Sequence, residues 1–357
     1  MNKLDYIKNL KTLSNLSGIP GNEKRVASYI MNNLENDVAI IKNDRLGSLL
    51  TIKNQEIKGY NVLIGAHMDE VGLMVTEITK EGYIKFQTIG GWFSQVMLAQ
   101  VWQITTSKGI ILGVTGCKPP HLIPLSERST AITVDKMFLD IGVKSSEEAI
   151  AAGIKIGDMI TPYIEACELT NKDYVLGKAW DDRVGCGVVM DVLKNYNNQL
   201  DYNLIGAFTT QEEVGLRGAS TLGYLSSPDI VIAIDSGVGY DTPGGIPKEQ
   251  TLGCGPQILC YDAGLIPHQG LRNFIIEVCK KYEIKYQETY ITAGRTDAGA
   301  FHLTKQGAAA ISICIPTRYM HSHTSIISKT DYLETVKLIN AILTELNNQK
   351  IEGILSR

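Results

Sequence analysis

The chain has 357 residues, of which 44% are hydrophobic and 20% charged, and its formal net charge is −4. This balance is ordinary for a globular protein and excludes a disordered or fibrous chain, and the basic excess usual in a nucleic-acid binder is absent. At about 150 residues a domain, the length predicts two domains, or one large domain with an insertion.

The first seventy residues predict helices followed by strands. Apolar residues at a nearly helical spacing predict one helix over 4–17 and a second helix capped by Asn22. Residues 38–53 predict a strand, a turn and a strand. The apolar run 61–66 predicts a buried strand that ends at His67.

The amino-acid composition and pattern of the chain change after Gly72. From there to about Pro162 the sequence is rich in Val, Ile, Thr and Gly, arranged in short alternating runs with turn signals between them. This pattern predicts a small β-rich unit built from hairpins.

Strands and helices alternate after Gly177, which is the pattern of an α/β sandwich. In chain order these elements are a small-residue helix at 184–194, strands at 203–209 and 230–235, and helices at 271–282 and 331–347. We therefore predict an α/β domain formed by residues 1–72 and 164–357, interrupted by an inserted β-rich domain of residues 73–163.

Several common catalytic motifs are absent: the sequence has no G-x-S-x-G, no G-x-x-x-x-G-K-[ST] and no H-E-x-x-H. Acids and histidines instead follow the predicted strands, where open α/β sheets bind their ligands. Residues two apart in a strand point to the same side, so Asp69 can hold the ring of His67 or act beside it, as metal-bound histidines commonly require. The alternative is a histidine at a strand end beside a solvated acid.

An acidic pair, Asp181 and Asp182, precedes the small-residue helix. One carboxylate can bridge two cations while the other orients it or pairs with Arg183. The alternative is a helix cap with a surface ion pair.

A second acidic pair, Glu212 and Glu213, follows a buried strand, and such acids are costly unless a positive charge compensates them. One can bind a metal while the other carries protons, which suits hydrolysis by a metal-activated water; the alternative is a polar strand end.

Asp235 follows a further apolar strand, and His321 and His323 follow the strand-like run AISICIP. Two histidine-bearing segments and three acid-bearing segments thus follow strands of one α/β domain. Their nitrogen and carboxylate donors suit zinc, cobalt or manganese, and no thiolate is placed among them. A metal-site hypothesis requires these segments to meet in space.

The seven cysteines include no C-x-x-C pair, which argues against a disulfide scaffold or a zinc finger. The N-terminus lacks the apolar core of a signal peptide, and no apolar run approaches the ~18 residues of a membrane span. We therefore expect a soluble, cytoplasmic protein.

Seven motifs together resemble the tetrahedral (TET) aminopeptidase family, which includes glutamyl and deblocking aminopeptidases. In chain order they are GAHMDEVG, GCKPPH, KAWDDRVG, TTQEEVGLRGA, AIDSGV, GRTDAGA and PTRYMHS. The match runs from the first predicted helix to the last, and seven motifs in the family's order are far more specific than any one of them.

The resemblance implies a three-layer α/β/α sandwich of the zinc-exopeptidase type, with a mixed central sheet and an inserted small β-barrel-like domain used for dimerisation. It implies two divalent metal ions per subunit, with zinc or cobalt expected and manganese as a further candidate. It also implies a homo-oligomer in which dimers assemble to a dodecamer.

The resemblance also assigns roles to residues. It implies five metal ligands: His67 and Asp235 for one ion, Glu213 and His321 for the other, and Asp181 between them. Glu212 would be the general base, and Asp69 would support His67. The family motif Tyr-x-His-Ser selects His321 rather than His323 as the ligand.

The leading hypothesis is a metal-dependent aminopeptidase that removes N-terminal residues from short peptides with a free N-terminus. In it, a water bridging the two metals attacks the peptide carbonyl and Glu212 takes its proton. The alternative is a related dimetal amidohydrolase, either a deacylase or a carboxypeptidase, although these usually lack the KPPH segment. A non-catalytic scaffold is disfavoured because the base and all five ligands are present, and a glycanase would leave the histidines unexplained.

Arg295 and His121 each have two interpretations. Arg295 lies in a glycine-flanked segment and can shape the pocket for the substrate's first side chain, favouring acidic residues, or it can pair locally with Asp297. His121 can be a turn residue or line a subunit contact. Nothing in the sequence specifies the preferred N-terminal residue or the native metal.

Overall fold

The computed structural model describes residues 5–54, 57–245 and 250–356, which form seventeen strands and nine helices. In chain order the strands are β1 Ile40–Asn43, β2 Leu49–Ile52, β3 Asn61–His67, β4 Gly72–Ile78, β5 Ile84–Ile89, β6 Val101–Thr106, β7 Gly109–Gly116, β8 Phe138–Asp140, β9 Met159–Pro162, β10 Cys167–Glu168, β11 Tyr174–Gly177, β12 Asn203–Thr209, β13 Ile230–Val238, β14 Gln257–Leu259, β15 Gln287–Thr289, β16 Ala309–Arg318 and β17 Ser325–Ser328. The helices are α1 Asp5–Asn15, α2 Lys24–Leu34, α3 Ser146–Ala152, α4 Trp180–Asn195, α5 Arg217–Ser226, α6 Gln269–Lys281, α7 Ala298–Phe301, α8 Lys329–Glu345 and α9 Asn348–Leu355.

Eleven strands form one mixed sheet in the order β1-β2-β12-β3-β13-β16-β17-β11-β10, with β14 paired to β16 and β15 to β14. The four central strands β12, β3, β13 and β16 are parallel to one another. Every residue of β12 is buried, as expected for a parallel strand covered on both faces. The carboxyl ends of these four strands therefore lie at one edge of the sheet.

Helices cover both faces of this sheet, and each face has its own apolar core. On one face Val62 and Ile64 of β3 pack in a core with α1, α2, α4, α6, α8 and α9. On the other face Leu63 of the same strand packs in a core with α5 and α7. The alternation follows from the two-residue period of a strand. The predicted three-layer α/β/α sandwich with a mixed central sheet is thus confirmed.

The remaining six strands close a barrel in the order β4-β5-β8-β7-β6-β9, all within residues 72–162. Its interior is filled by a separate apolar core that includes Leu73, Ile84 and the fully buried Trp102. The barrel-like unit that the sequence predicted is present, and β3 leads into it directly.

Two predicted helix starts differ from the observed ones. The predicted Asn22 cap is wrong: α2 begins after Glu23, whose side chain makes no cap hydrogen bond. Helix α4 begins at Trp180, four residues before the predicted start. The prediction missed its first turn because that turn is irregular. Asp181 and Asp182 have non-helical backbone angles there, and the peptide bond between them is cis. Leu4, which the first helix was predicted to include, lies outside the described residues.

No helix among the described residues is both long enough and apolar enough to cross a membrane.

Candidate metal centre and active site

The carboxyl edge of the parallel strands brings together the acids and histidines that the sequence singled out. His67 is the last residue of β3, and Asp235 lies within β13. Glu212 and Glu213 follow β12, and His321 follows β16. Asp181 comes from the irregular start of α4, on the same edge. This is the position in which α/β sheets generally bind ligands.

Three of these residues form a first group of possible metal donors. Nε2 of His67 lies 3.0 Å from Oδ1 of Asp181 and 3.9 Å from Oδ1 of Asp235. One donor atom from each of the three lies within 4.8 Å of the others. The group therefore offers one nitrogen and two carboxylates to a single point.

A second group shares Asp181 with the first. Nε2 of His321 lies 3.4 Å from Oδ2 of Asp181 and 3.5 Å from Oε2 of Glu213. These donor atoms also lie within 4.8 Å of one another. Because Asp181 presents Oδ1 to the first group and Oδ2 to the second, its carboxylate lies between two adjacent donor sets.

The donor sets fit divalent cations. Oε1 of Glu213 is buried without a hydrogen-bond partner among the described residues. Burial, with Asp181 alongside, raises the pKa of Glu213 to about 8 and the pKa of Asp235 well above its usual value. Acids crowded together in this way are costly unless positive charge compensates them, and imidazole and carboxylate donors suit zinc, cobalt or manganese.

The neighbouring acids raise the pKa values of both histidines. Burial alone would lower the pKa of His321, but a hydrogen bond with Asp181 and the nearby Glu213 raise it to about 9. The pKa of His67 is likewise raised well above its usual value, because Asp181 and Asp69 outweigh its burial.

Asp69 holds the site through both its backbone and its side chain. Its carbonyl oxygen lies 3.1 Å from Nδ1 of His67, and because a carbonyl only accepts, Nδ1 donates to it, while Nε2 faces Asp181 at 3.0 Å. Its carboxylate accepts hydrogen bonds from the backbone N–H groups of Glu212 and Glu213, each at 3.0 Å. Asp69 therefore fixes His67 and the acidic pair in relation to each other.

Glu212 lies beside the donor groups and belongs to neither. Its Oε2 is 4.0 Å from Nε2 of His67, and the residue is largely buried. Gln211, which precedes it, has a left-handed backbone with φ of +58°. Its N–H donates to the carboxylate of Glu23 at 3.1 Å, so a second acid fixes the turn that carries the pair.

Behind the site lies an ion-pair network that the sequence did not reveal. Both carboxylate oxygens of Glu70 contact Nζ of Lys178, at 2.6 and 2.7 Å, and Arg183 lies 3.4 Å from the same carboxylate. The suggested pairing of Arg183 with Asp181 or Asp182 is wrong, because its guanidinium donates instead to carbonyl groups such as those of Leu13 and Leu16. The partners are more than a hundred residues apart in the chain, so no local pattern connects them.

Asp182 supports the first group from behind. Its Oδ2 accepts a hydrogen bond from the backbone N–H of His67 at 3.3 Å, and its Oδ1 accepts one from Gly185 at 3.0 Å. The residue is fully buried. It thus ties the end of β3 to the first turn of α4.

A cleft of about 600 Å³ opens onto both donor groups. Arg295, Met320 and Ile291 line it beyond the acids. The alternative that Arg295 pairs with Asp297 is not observed: the carboxylate of Asp297 accepts from the hydroxyl of Thr209 instead. The stem of Arg295 lies along Gly264, where an added Cβ would come within 3.2 Å of it.

Two further histidines that the sequence singled out, His121 and His323, belong to neither donor group. His323 packs against Trp102 of the barrel. His121 is exposed in a short turn after β7.

Known proteins are similar to this chain in sequence and fold over most of its length. The family model of the M42 glutamyl aminopeptidases matches residues 47–338. The putative aminopeptidase FrvX of Escherichia coli K12 is 37% identical over 351 residues, which is 97% of each chain.

Solved structures agree with this assignment. The TET aminopeptidase of the archaeon SCGC AB-539-E09 (Thaumarchaeota) superposes with a TM-score of 0.96 at 35% identity, covering 99% of this chain and 100% of that one. The TET1 peptidase of Pyrococcus horikoshii, described as assembling into a tetrahedron or a large octahedral shell, gives a TM-score of 0.85 at 31% identity over 96% of this chain and all of its own. The chain therefore belongs to the M42 glutamyl aminopeptidase family, as its resemblance to the TET aminopeptidases implied, and is a peptide hydrolase.

Proposed function

We propose that the chain is a dimetal aminopeptidase that removes N-terminal residues from short peptides. The observation that carries the proposal is the position of Asp181 between two donor groups, with Glu212 beside them and outside both. His67 and Asp235 would hold one cation, Glu213 and His321 the other, and Asp181 would be shared. We expect zinc or cobalt, with manganese as a further candidate.

When bound, the two cations would lower the pKa of a water and stabilise the negative charge that develops on the peptide oxygen. Glu212 would accept the proton of the attacking water and return it to the leaving amine. Its position supports this role, because its backbone is fixed by Asp69 while its carboxylate reaches the cleft. His67 and Glu213 would stay in place through the same Asp69 contacts.

A free α-amine of the substrate would bind near the acids at this end of the cleft, which would restrict the enzyme to the first peptide bond. The substrate's first side chain would then extend along the cleft toward Arg295 and Ile291. Peptides with a blocked N-terminus would lack the positive group that these acids attract.

The decisive experiment uses metal-depleted protein and a panel of aminoacyl chromogenic substrates, with Zn²⁺, Co²⁺ or Mn²⁺ returned in turn. We expect no turnover without metal, recovery with at least one of the three, and activity on free-amine substrates only. Hydrolysis of the N-acetylated counterpart at an equal or higher rate would instead favour a deacylase. Full activity in the absence of metal would overturn the proposal.

We also propose a division of labour within the chain. Residues 1–72 and 164–357 would be the catalytic domain, and residues 73–163 would mediate dimerisation and, from dimers, a dodecamer. Strand β7 supports this, because Ile110, Leu112 and Val114 form an exposed apolar row on the outer wall of the barrel. The odd number of cysteines supports a reducing, cytoplasmic location.

A further inference from the structure

The turn that carries His321 has an unfavourable backbone. Tyr319 and His321 both lie in the left-handed region, with φ of +64° and +54°. Residues with a Cβ are uncommon there and are held only where surrounding structure fixes them. Within the turn, the hydroxyl of Ser322 lies 2.5 Å from the carbonyl oxygen of Tyr319 and 2.6 Å from that of Thr324. These contacts close the turn on itself but do not fix it against the rest of the molecule.

Contacts outside the turn hold it on both sides: Arg318, just before it, pairs with Asp241, and an aromatic cluster from the barrel contacts its other end. The ring of His323 packs edge-on against Trp102 on β6, with ring centroids 4.9 Å apart and an interplanar angle of 86°. Trp102 packs in turn on Trp92 at 5.1 Å, and Nε1 of Trp92 donates to the carbonyl of Gly72 at 3.1 Å. We call Trp92, Trp102 and His323 the aromatic clamp. It joins the barrel wall to the turn two residues after His321.

The loop between β5 and β6 makes a second contact with the same donor group. A Cβ added at Gly91 would lie only 3.0 Å from Nδ1 of His321, so the backbone of Gly91 passes directly against that ring. A Cβ added at the neighbouring Gly90 would lie 3.4 Å from Cβ of Glu213. The barrel thus borders both residues that complete the second donor group with Asp181.

We propose that the aromatic clamp positions His321, so that His323 is a positioning residue through which the inserted barrel sets the geometry of the second donor group. This inference rests on the proposed function, in which His321 and Glu213 hold a cation. It assigns His323 a role that its sequence position, next to the donor residues, did not reveal.

The contact is one between rings, and no hydrogen bond contributes to it. Nδ1 of His323 and Nε1 of Trp102 are both buried without a hydrogen-bond partner among the described residues. His323 is only 5% exposed, and Trp102 is fully buried. A phenylalanine ring should therefore replace the histidine in the clamp, whereas alanine would remove the ring contact between the turn and the barrel.

The test measures cation binding by the full-length protein. Apo-protein variants His323→Ala and His323→Phe are titrated with Zn²⁺, and bound metal is counted by elemental analysis after equilibrium dialysis. We expect His323→Ala to bind one of the two cations about 10–100-fold more weakly, the range found when groups that orient metal ligands are removed. His323→Phe should bind both cations about as tightly as the wild type. His302→Ala, which alters a histidine whose Nδ1 lies 3.2 Å from the carbonyl oxygen of Ala298 in α7, should match the wild type.

A parallel variant separates the clamp from the proposed function. His321→Ala should itself lose one cation. If it retains both at wild-type affinity, the ligand assignment fails. If it loses one while His323→Ala retains both, the clamp inference is overturned and the ligand assignment stands. If His323→Phe is as weak as His323→Ala, the ring contact is not the cause and the inference is again overturned.

A glycine variant keeps the test decisive if His323→Ala does not fold. Gly91 does not have a left-handed backbone, so Gly91→Ala should be tolerated while its methyl group presses on the ring of His321. We expect it to weaken the same cation, and the matched change Gly353→Ala, where an added Cβ meets no atom within 4 Å, to have no effect. Wild-type binding of both cations by Gly91→Ala would show that contact with the barrel does not set the position of His321, and it would overturn the inference that the barrel sets the geometry of the second donor group.

Discussion

At the scale of the residue, Asp181 lies between the two donor groups. Its two carboxylate oxygens face different histidines, at 3.0 Å for His67 and 3.4 Å for His321. Among the described residues it alone belongs to both donor groups. A change at this position should therefore affect both cations, whereas a change at Glu212 should affect neither.

This difference gives a prediction for the two acids. Glu212→Gln keeps the size of the side chain and the backbone hydrogen bond to Asp69, but an amide cannot accept the proton. We expect kcat to fall about 10²–10⁴-fold while both cations remain bound. Asp181→Ala should lose metal and activity together. Steady-state kinetics with elemental analysis distinguish the two, and near-wild-type turnover by Glu212→Gln would rule out its role as the base.

At the scale of the element, the network of Glu70, Lys178 and Arg183 joins three segments that meet behind the site. Arg183 and Lys178 both donate to the carbonyl of Leu16, just after α1, while Glu70 follows β3. Lys178 and Arg183 flank the start of α4. All three charged side chains are essentially fully buried. The network therefore fixes α1 to the two segments that supply His67 and Asp181.

A buried pair of this kind should be costly to break. Lys178→Ala would leave Glu70 with less compensating charge away from water, and we expect the free energy of unfolding to fall by about 3–5 kcal/mol. The matched surface change is Lys281→Ala. The side chain of Lys281 is 61% exposed and pairs with Glu345. Its loss should be below about 1 kcal/mol. Urea denaturation of both variants checks this, and equal losses would show that the network contributes no more than a surface pair.

The sequence predicted these elements unevenly, for physical reasons. The strands ending at His67 and Thr209 were predicted because apolar runs identify buried parallel strands, and their carboxyl ends must then meet. The start of α4 was predicted four residues late, since Asp181 and Asp182 do not follow helical geometry. Asn22 is a good cap residue by type, yet Glu23 precedes α2 and serves the turn at Gln211.

In the candidate site, too, the sequence predicted some features and not others. The donor residues could be anticipated because four of the five follow apolar runs, Asp181 precedes a small-residue helix, and all five lie in family motifs. The supporting contacts could not, because Glu23, Glu70 and His323 find their partners only after distant segments fold together. Local periodicity carries no information about such pairs.

At the scale of the whole molecule, the outer wall of the barrel carries an exposed apolar row that contact with a partner would bury. Ile110, Leu112 and Val114 on β7 are 54%, 45% and 43% exposed. Strand β7 is paired on both sides within the closed barrel, so an additional strand cannot account for its exposed face. Contact with another copy of the chain, as we propose, would cover the row.

This proposal predicts the effect of a charge on that row. Leu112→Asp should shift the protein from a large assembly to smaller species, because an unpaired carboxylate would be buried at the contact. Leu303→Asp, at an exposed position outside the barrel, is the matched control and should leave the assembly intact. Multi-angle light scattering at several concentrations measures both. A wild-type protein that remains monomeric throughout would contradict the predicted oligomer directly.

The barrel also separates two strands that belong together. Every pairing partner of its six strands lies within residues 72–162. Strand β3, in contrast, pairs with β12 on the far side of the barrel in sequence, with His67 opposite Thr209. As the chain leaves the ribosome, the barrel can therefore close while β3 still lacks its parallel neighbours. A nascent chain would then carry a folded barrel next to an apolar strand that has no pairing partner. Chaperone protection would matter most during this interval.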